Sequence, residues 1–208
     1  MAARDVGRIE ALLACVPKNP SAAKLYGDVF ERAALNLLLK GGSFPRFDLT
    51  AGKEAGSLDL KQSAAVVFAT APDLAASVRA RDAAALAAAV FVPKAANYTG
   101  VDAVLGAGKA LVNFTINLQH DLKLCNAAGT EGAVPVARAL GVGDAEEIAF
   151  YWALPRERYE AACKARKSFR VISPPGAAGA LMRRRIRQYA LLVPFELRGR
   201  SEAAAVMK

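Results

Sequence analysis

The chain has 208 residues, of which 54% are apolar, and it carries a formal net charge of +9. This length and apolar fraction are typical of one substantial domain with a buried core and exclude a disordered chain. There is no run of eighteen apolar residues and no secretory signal pattern, so we expect an intracellular protein that does not enter a membrane. The three cysteines are odd in number and widely spaced, which argues against a disulfide framework or a zinc site.

The positive charge is concentrated in the last quarter of the chain. Two groups carry it: Lys164, Arg166, Lys167 and Arg170, then Arg183, Arg184, Arg185 and Arg187. A basic surface of this kind is typical of proteins that bind phosphate backbones, so we expect a nucleic-acid partner, DNA before RNA. The pattern also fits a nuclear import signal, which predicts a nuclear location. The alternative is a solvated helix face that keeps an alanine-rich chain in solution.

The apolar spacing predicts three parts along the chain. Residues 1–20 form a short N-terminal helix, around residues 6–15, and a breaker; residues 21–197 form a single α/β domain, and residues 198–208 a tail. The clearest helix covers residues 24–40 and ends at Gly41 and Gly42. Glu31 lies beside its apolar stripe, where it could border a cleft.

The remaining segments alternate between strand and helix patterns. Residues 44–49, 64–69, 90–92, 148–154, 169–172 and 189–193 predict strands, and residues 52–60 predict a loop. Residues 74–89 predict one helix or two pieces, residues 130–140 a helix limited or kinked by Pro135, residues 156–167 a helix, and residues 178–187 a basic helix. Mixed elements without a long linker or a repeat indicate an α/β fold with a mixed sheet.

A glycine-rich turn at residues 106–109 joins two alternating runs, 101–104 and 111–117, which predicts a β-hairpin. Side chains repeat every two residues on a strand, so Asp102 shares a face with Val104. By the same rule Asn113, Thr115 and Asn117 share a face of the second strand. Three oxygen-bearing groups can therefore converge, which predicts a site for a hard divalent cation.

Four blocks in this order resemble the C-terminal domain of retrotransposon hot spot proteins and the related crinkler effectors, in the PD-(D/E)XK nuclease-like superfamily. They are GDVFERAALNLLLKGG, FVPKAANY leading into VDA, NFT followed by His120, and QYALLVP. Together they span about residues 26 to 195. The resemblance implies a restriction-endonuclease-like mixed β-sheet with a central hairpin flanked by helices.

The resemblance also implies roles for single residues. Glu31 is the helix carboxylate, Asp102 is the metal-binding aspartate, and Asn113 and Thr115 occupy the positions of the D/E-x-K motif. Glu31, Asp102 and Asn113 would hold Mg²⁺ or Mn²⁺ in an active enzyme, and His120 would reach the same site. An amide carries no charge and threonine cannot supply the cationic role of lysine, so the motif is degenerate.

Three functions therefore stay open. The first is a metal-dependent endonuclease whose Arg183, Arg184, Arg185 and Arg187 hold the nucleic-acid backbone. The second is a nucleic-acid-binding or chromatin module that keeps the fold but needs no cation and does not cleave. The third is a nuclear protein-interaction or effector module. No G-x-x-x-x-G-K-[ST] motif is present, so a nucleotide triphosphate is not an expected ligand.

Overall fold

A computed structural model describes residues 20–95, 98, 100–126, 129–166, 168–172 and 182–194, with side chains from residue 24 onward. The predicted N-terminal helix at 6–15 and the tail at 198–208 lie outside these residues. The helices are α1 (Pro20–Lys40), α2 (Ala71–Arg79), α3 (Ala83–Ala87), α4 (Ala133–Ala139) and α5 (Arg156–Ala165). None of the described helices is long and apolar enough to span a membrane.

The strands form one large sheet and one small one. The strands are β1 (Gly42–Asp48), β2 (Lys53–Leu60), β3 (Ala64–Phe68), β4 (Ala89–Pro93), β5 (Ala103–Leu105), β6 (Ala110–Phe114), β7 (Asp121–Lys123), β8 (Ile148–Leu154), β9 (Arg170–Ile172) and β10 (Ile186–Leu192). Eight of them pair in the order β2-β1-β10-β8-β6-β5-β4-β3, and β7 pairs with β9.

Parallel and antiparallel pairs alternate in blocks across the large sheet. Strands β6, β8 and β10 run parallel at its centre, while β5 and β6 form an antiparallel hairpin with Ala103 opposite Val112. The parallel strands therefore end at one edge, which we call the carboxyl edge. The prediction of an α/β fold with a mixed sheet, a central hairpin and flanking helices is confirmed.

Helices cover the two faces of the sheet unequally. On one face, called here the helix-rich face, Leu74 of α2, Val136 of α4 and Ala162 of α5 belong to a core that includes Phe150 and Trp152. On the opposite face, called the α1 face, a second core contains Phe30, Ala34, Leu38, Val112 and Phe114. The spacing of the first three is that of one helix stripe, as the sequence predicts.

The predicted loop at 52–60 is wrong, because these residues form the edge strand β2. The strand pairs with β1 along its length, from Gly42 opposite Leu60 to Asp48 opposite Lys53. Most of its side chains are exposed or half-buried. Its stability as a strand comes from backbone pairing, which leaves little hydrophobic signal in the sequence.

The hairpin is confirmed, but both of its strands are shorter than predicted. Asp102 lies just before β5, and β6 ends at Phe114, so Thr115 and Asn117 are outside the strand. The Thr115 hydroxyl accepts a hydrogen bond from the Asn117 N–H at 3.0 Å. This local bond competes with the strand and turns the chain.

Two helix predictions also change. Pro135 does not kink α4, because it is the third residue of a helix that begins at Ala133, where its missing N–H costs no helical bond. The predicted basic helix ends early, since Ile186 and Arg187 belong to β10. Residues 178–181 of that helix lie outside the described part of the chain.

Candidate functional site

Helix α1 positions Glu31 at the carboxyl edge of β6. Phe30 is fully buried in the core of the α1 face, so Glu31 falls beside the buried stripe and is half-buried. One turn earlier, a Cβ on Gly27 would lie 3.9 Å from Cδ1 of Ile116, two residues past the end of β6. Burial and the neighbouring Asp28 carboxylate raise the pKa of Glu31, although the Arg32 cation opposes them.

Asp102 lies where the two hairpin strands separate. Its backbone N–H donates to the Val112 carbonyl at 2.9 Å, and its Oδ2 accepts from the Phe114 N–H at 2.8 Å. The carboxylate thus replaces a strand carbonyl at the end of the ladder. The pKa of Asp102 is raised to about 7: burial is the largest cause, the Phe114 N–H opposes it, and the nearby Glu31 carboxylate contributes to the rise.

Asn113 lies on β6 between Val112 and Phe114, which pack in the core of the α1 face, and it pairs with Trp152 of β8. Its side chain therefore points to the helix-rich face, away from α1 and Glu31. Only 4% of its surface is exposed. Its Oδ1 atom is buried and has no hydrogen-bond partner. An unsatisfied buried amide oxygen costs about 1–3 kcal/mol, so it marks a position where a donor or a cation would be accommodated favourably.

Thr115 is brought to the same edge, but its hydroxyl is already used. It accepts from the Asn117 N–H at 3.0 Å and donates to the Asn117 carbonyl at 3.2 Å. Its backbone N–H donates to the Ala153 carbonyl on β8. Thr115 therefore shapes the chain after β6 and has no spare proton for a ligand.

His120 lies on the helix-rich face, apart from the carboxylate pair. Its ring meets Trp152 edge to face, with ring centroids 5.8 Å apart. Burial and the Lys123 cation lower the pKa of His120 and outweigh the Asp121 carboxylate, with burial the largest influence. His120 also lines a pocket of about 390 Å³ together with Asp121, Phe169 and Arg170.

The four predicted nucleic-acid arginines divide into two kinds. Arg183 and Arg184 are exposed. Arg187 donates to the buried carboxylate of Asp48 at 2.7 and 2.8 Å, and Arg185 donates to the Glu146 carbonyl at 2.9 Å. The Arg185 and Arg187 side chains are therefore engaged in hydrogen bonds within the protein, unlike those of Arg183 and Arg184.

The structure also separates this arginine group from the carboxylates. Ile186 lies opposite Ile148, at the amino end of β8, whereas Asn113 lies opposite Trp152, four residues further along the same strand. Four residues of strand span about 13 Å. The arginines therefore sit toward the opposite end of the sheet from Asp102.

Sequence reasoning missed a cation at the carboxyl edge. Helix α5 begins directly after β8 ends at Leu154, and its first turn contains the exposed Arg158. The charges of Arg158 and Glu157 both influence the pKa of Tyr26 on α1, so the two helices meet at this edge. The parallel pairing of β6 and β8 is what brings Arg158 to this edge, and parallel pairing leaves no local sequence signal.

The predicted site residues that come together are thus Glu31 and Asp102, whereas Asn113 lies on the other face of β6. Within the described part of the chain, no cluster of three or more His, Cys, Asp or Glu side chains is arranged to hold a metal ion. The two carboxylates of Glu31 and Asp102 are oxygen donors of the kind that Mg²⁺ and Mn²⁺ prefer. Comparison with known proteins found no matching family model, no similar curated protein and no similar solved structure.

Proposed function

We propose that this chain is a nuclease-type domain that binds a divalent cation and a nucleic-acid phosphate at the carboxyl edge. The observation that supports it is the Asp102 carboxylate, withdrawn from water and close to Glu31. The family resemblance of the hairpin and of α1 points to the same two carboxylates. Mg²⁺ or Mn²⁺ is therefore the proposed cofactor, held by Glu31 and Asp102.

A bound dication would offset the charge repulsion between the two carboxylates of the site. Two nearby carboxylates with raised pKa values repel each other when both are ionised, and a dication relieves that repulsion. The Phe114 N–H occupies Asp102 Oδ2 and orients the carboxylate, which leaves Oδ1 for a ligand. The donor set of Glu31 and Asp102 carries two negative charges when both are ionised.

The surrounding residues suit a phosphate more than a small carboxylate substrate. Arg158 supplies positive charge at the same edge, and Arg183 and Arg184 are exposed toward the far end of the sheet. An extended polyanion can reach both regions, whereas a small ligand cannot. A bound divalent cation would polarise the phosphate and activate a water for hydrolysis.

The test measures Mn²⁺ binding by electron paramagnetic resonance, and nicking of supercoiled DNA with Mg²⁺ or Mn²⁺. We expect Asp102→Asn and Glu31→Gln each to weaken Mn²⁺ binding at least tenfold. Asp59→Asn is the matched control, because it removes one carboxylate charge from an exposed position on β2 and should change affinity less than twofold. Equal Mn²⁺ affinity of Asp102→Asn and the wild type would overturn the proposed cation site.

A second candidate function follows from the Thr115 hydroxyl. Both of its hydrogen bonds go to Asn117, and no lysine occupies this position. A domain of this kind could bind cation and phosphate without cleaving, as a nucleic-acid-binding module. Wild-type protein that binds Mn²⁺ and DNA but leaves supercoiled DNA intact over pH 6–9 would establish this function in place of hydrolysis.

A further inference from the structure

We propose that the pocket beside His120 receives the base of an unpaired nucleotide in a single-stranded nucleic acid. The pocket lies on the helix-rich face between the segment after β6 and the end of α5, and its volume is about 390 Å³. Small-molecule sites typically measure about 300–1,000 Å³. This inference rests on the nucleic-acid binding proposed above, but it does not depend on the cation.

An aromatic cluster forms one wall of the pocket. Phe169 stacks on Trp152 with ring centroids 4.0 Å apart and planes 17° apart, and His120 packs against the same indole. Both Phe169 and His120 line the pocket. Stacking on such rings is how proteins hold unpaired bases, because every base has a π-face.

Buried hydrogen bonds hold this wall in place. Gln188 is 4% exposed, and its Oε1 accepts from the Trp152 Nε1–H at 2.8 Å and from the Phe169 N–H at 3.0 Å. Its Nε2 donates to the Phe169 carbonyl at 3.0 Å. The two stacked rings are therefore fixed before a ligand arrives, which lowers the entropy cost of binding.

The rim of the pocket carries an excess of positive charge. Arg170 donates to Asp121 at 2.6 and 2.7 Å, yet 73% of its side chain is exposed. Two further exposed cations, Lys164 and Arg166, flank the lining residue Ala165 in the chain. An aromatic wall below a cationic rim matches a nucleotide, with the base inside and the phosphate at the rim.

The pocket is lined by the segment that follows β6, the strand whose Phe114 N–H binds Asp102. His120 is five residues beyond Thr115, and the chain between them is compact, since the His120 N–H donates to the Asn117 carbonyl at 3.3 Å. Trp152, behind the pocket, lies opposite Asn113 in the sheet. A base stacked and paired in a duplex could not enter the pocket, so an unpaired strand is the ligand that fits.

The experiment titrates a thymidine dodecanucleotide, the matching duplex and AMP into the full chain in EDTA. Trp152 is the only tryptophan in the sequence, so quenching of tryptophan fluorescence reports binding at the pocket wall. The test variant is Ala165→Glu, which adds a carboxylate at an exposed lining position at the end of α5. The matched control is Ala84→Glu on α3, also exposed and with the same change in charge.

We expect the single strand to quench Trp152 and to bind at least tenfold more tightly than either the duplex or AMP. Ala165→Glu should weaken this binding at least tenfold, while Ala84→Glu should change it less than twofold. Equal effects of the two variants would overturn the pocket assignment, and AMP binding as tight as the strand would overturn its assignment to a strand. Because the titration contains no divalent cation, its failure leaves the Mn²⁺ result at Asp102 unaffected.

Discussion

At the scale of single residues, two carboxyl groups influence stability in opposite directions with pH. Asp102 has a pKa raised from 3.8 to about 7, mainly by burial. Asp48 has a lowered pKa, because hydrogen bonds from Ala51 and Arg187 outweigh the raising effect of its burial. A raised carboxyl pKa costs stability as pH rises, whereas a lowered one adds stability above the unfolded pKa.

We expect Asp102→Asn to stabilise the fold at neutral pH. The wild type loses stability as pH rises from about 4 to about 7, because the folded state releases the Asp102 proton less readily than the unfolded chain. An amide cannot ionise, so the variant avoids a penalty of about 2–4 kcal/mol at pH 8, where one pKa unit is about 1.4 kcal/mol. Urea unfolding of both proteins in EDTA between pH 4.5 and 8 measures the difference.

Glu31→Gln provides the internal control for this prediction. Removing the Glu31 charge lowers the pKa of Asp102. The stability gained by Asp102→Asn in the Glu31→Gln background should therefore reach its plateau at a lower pH than the stability gained by Asp102→Asn in the wild type. A difference between Asp102→Asn and the wild type that is constant with pH would contradict the raised pKa of Asp102.

Asp48→Asn should destabilise the protein by about 2–4 kcal/mol at pH 7, because it leaves the hydrogen-bonding partners of a buried carboxylate without its charge. Asp48 is 1% exposed and accepts from the Thr50 and Ala51 N–H groups as well as from Arg187. The loss should shrink below pH 4, as the wild-type carboxyl itself becomes protonated. Thermal unfolding at pH 7 and at pH 3 measures both values; an equal loss at the two pH values would be inconsistent with a depressed Asp48 pKa.

At the scale of elements, strong local patterns were predicted well. The α1 stripe, the β8 run and the two pieces α2 and α3 all have hydrophobic or capping signals, such as the reciprocal hydrogen bonds of Thr70 and Asp73 at the start of α2. Strand β2 was missed because it is held by backbone pairing at the edge of the sheet. The ends of β5 and β6 were missed because a side-chain bond from Thr115 decides where β6 stops.

The candidate site was only partly predictable for the same reason. The hairpin pattern predicted that β5 and β6 pair, since one short turn joins them. The His120 pocket depends on lining residues of α5 and β9, which lie about 40 residues or more after His120 in the chain. Tertiary contacts bring them to His120. The separation of Arg183 and Arg184 from the carboxyl edge depends on how β10 pairs with β8. Neither arrangement leaves a local sequence signal.

The turn of the hairpin gives a test at this scale. A Cβ on Gly106 would lie 1.9 Å from the Leu86 carbonyl oxygen, so we expect Gly106→Ala to destabilise the protein by about 3 kcal/mol or more. Gly108→Ala in the same turn is the control, since its φ is +68° but no atom lies within 4 Å, and its cost should be about 1 kcal/mol. Chemical denaturation compares them, and an equal loss would contradict the close packing of α3 on the turn.

At the scale of the whole molecule, the net charge of +9 should make nucleic-acid binding strongly dependent on salt. The large sheet separates two positive regions: Arg158 at the carboxyl edge and the Arg183–Arg184 pair near the amino end of β10. A polyanion that spans the sheet would contact both. The salt dependence then reports how many phosphates each region neutralises.

We therefore expect Arg183→Glu/Arg184→Glu to weaken DNA binding and to reduce the slope of log affinity against log salt by about 2, roughly one per lost phosphate contact. Both arginines are exposed, so the variant should keep its unfolding temperature. Lys61→Glu/Arg79→Glu is the matched control, because it makes the same change in net charge at two exposed positions, one directly after β2 and one at the end of α2. Fluorescence anisotropy of labelled DNA, measured at salt concentrations from about 50 to about 300 mM, gives the two slopes. If the two variants lose equal affinity and equal slope, the attraction comes from the total charge alone and the arginine pair makes no phosphate contacts of its own.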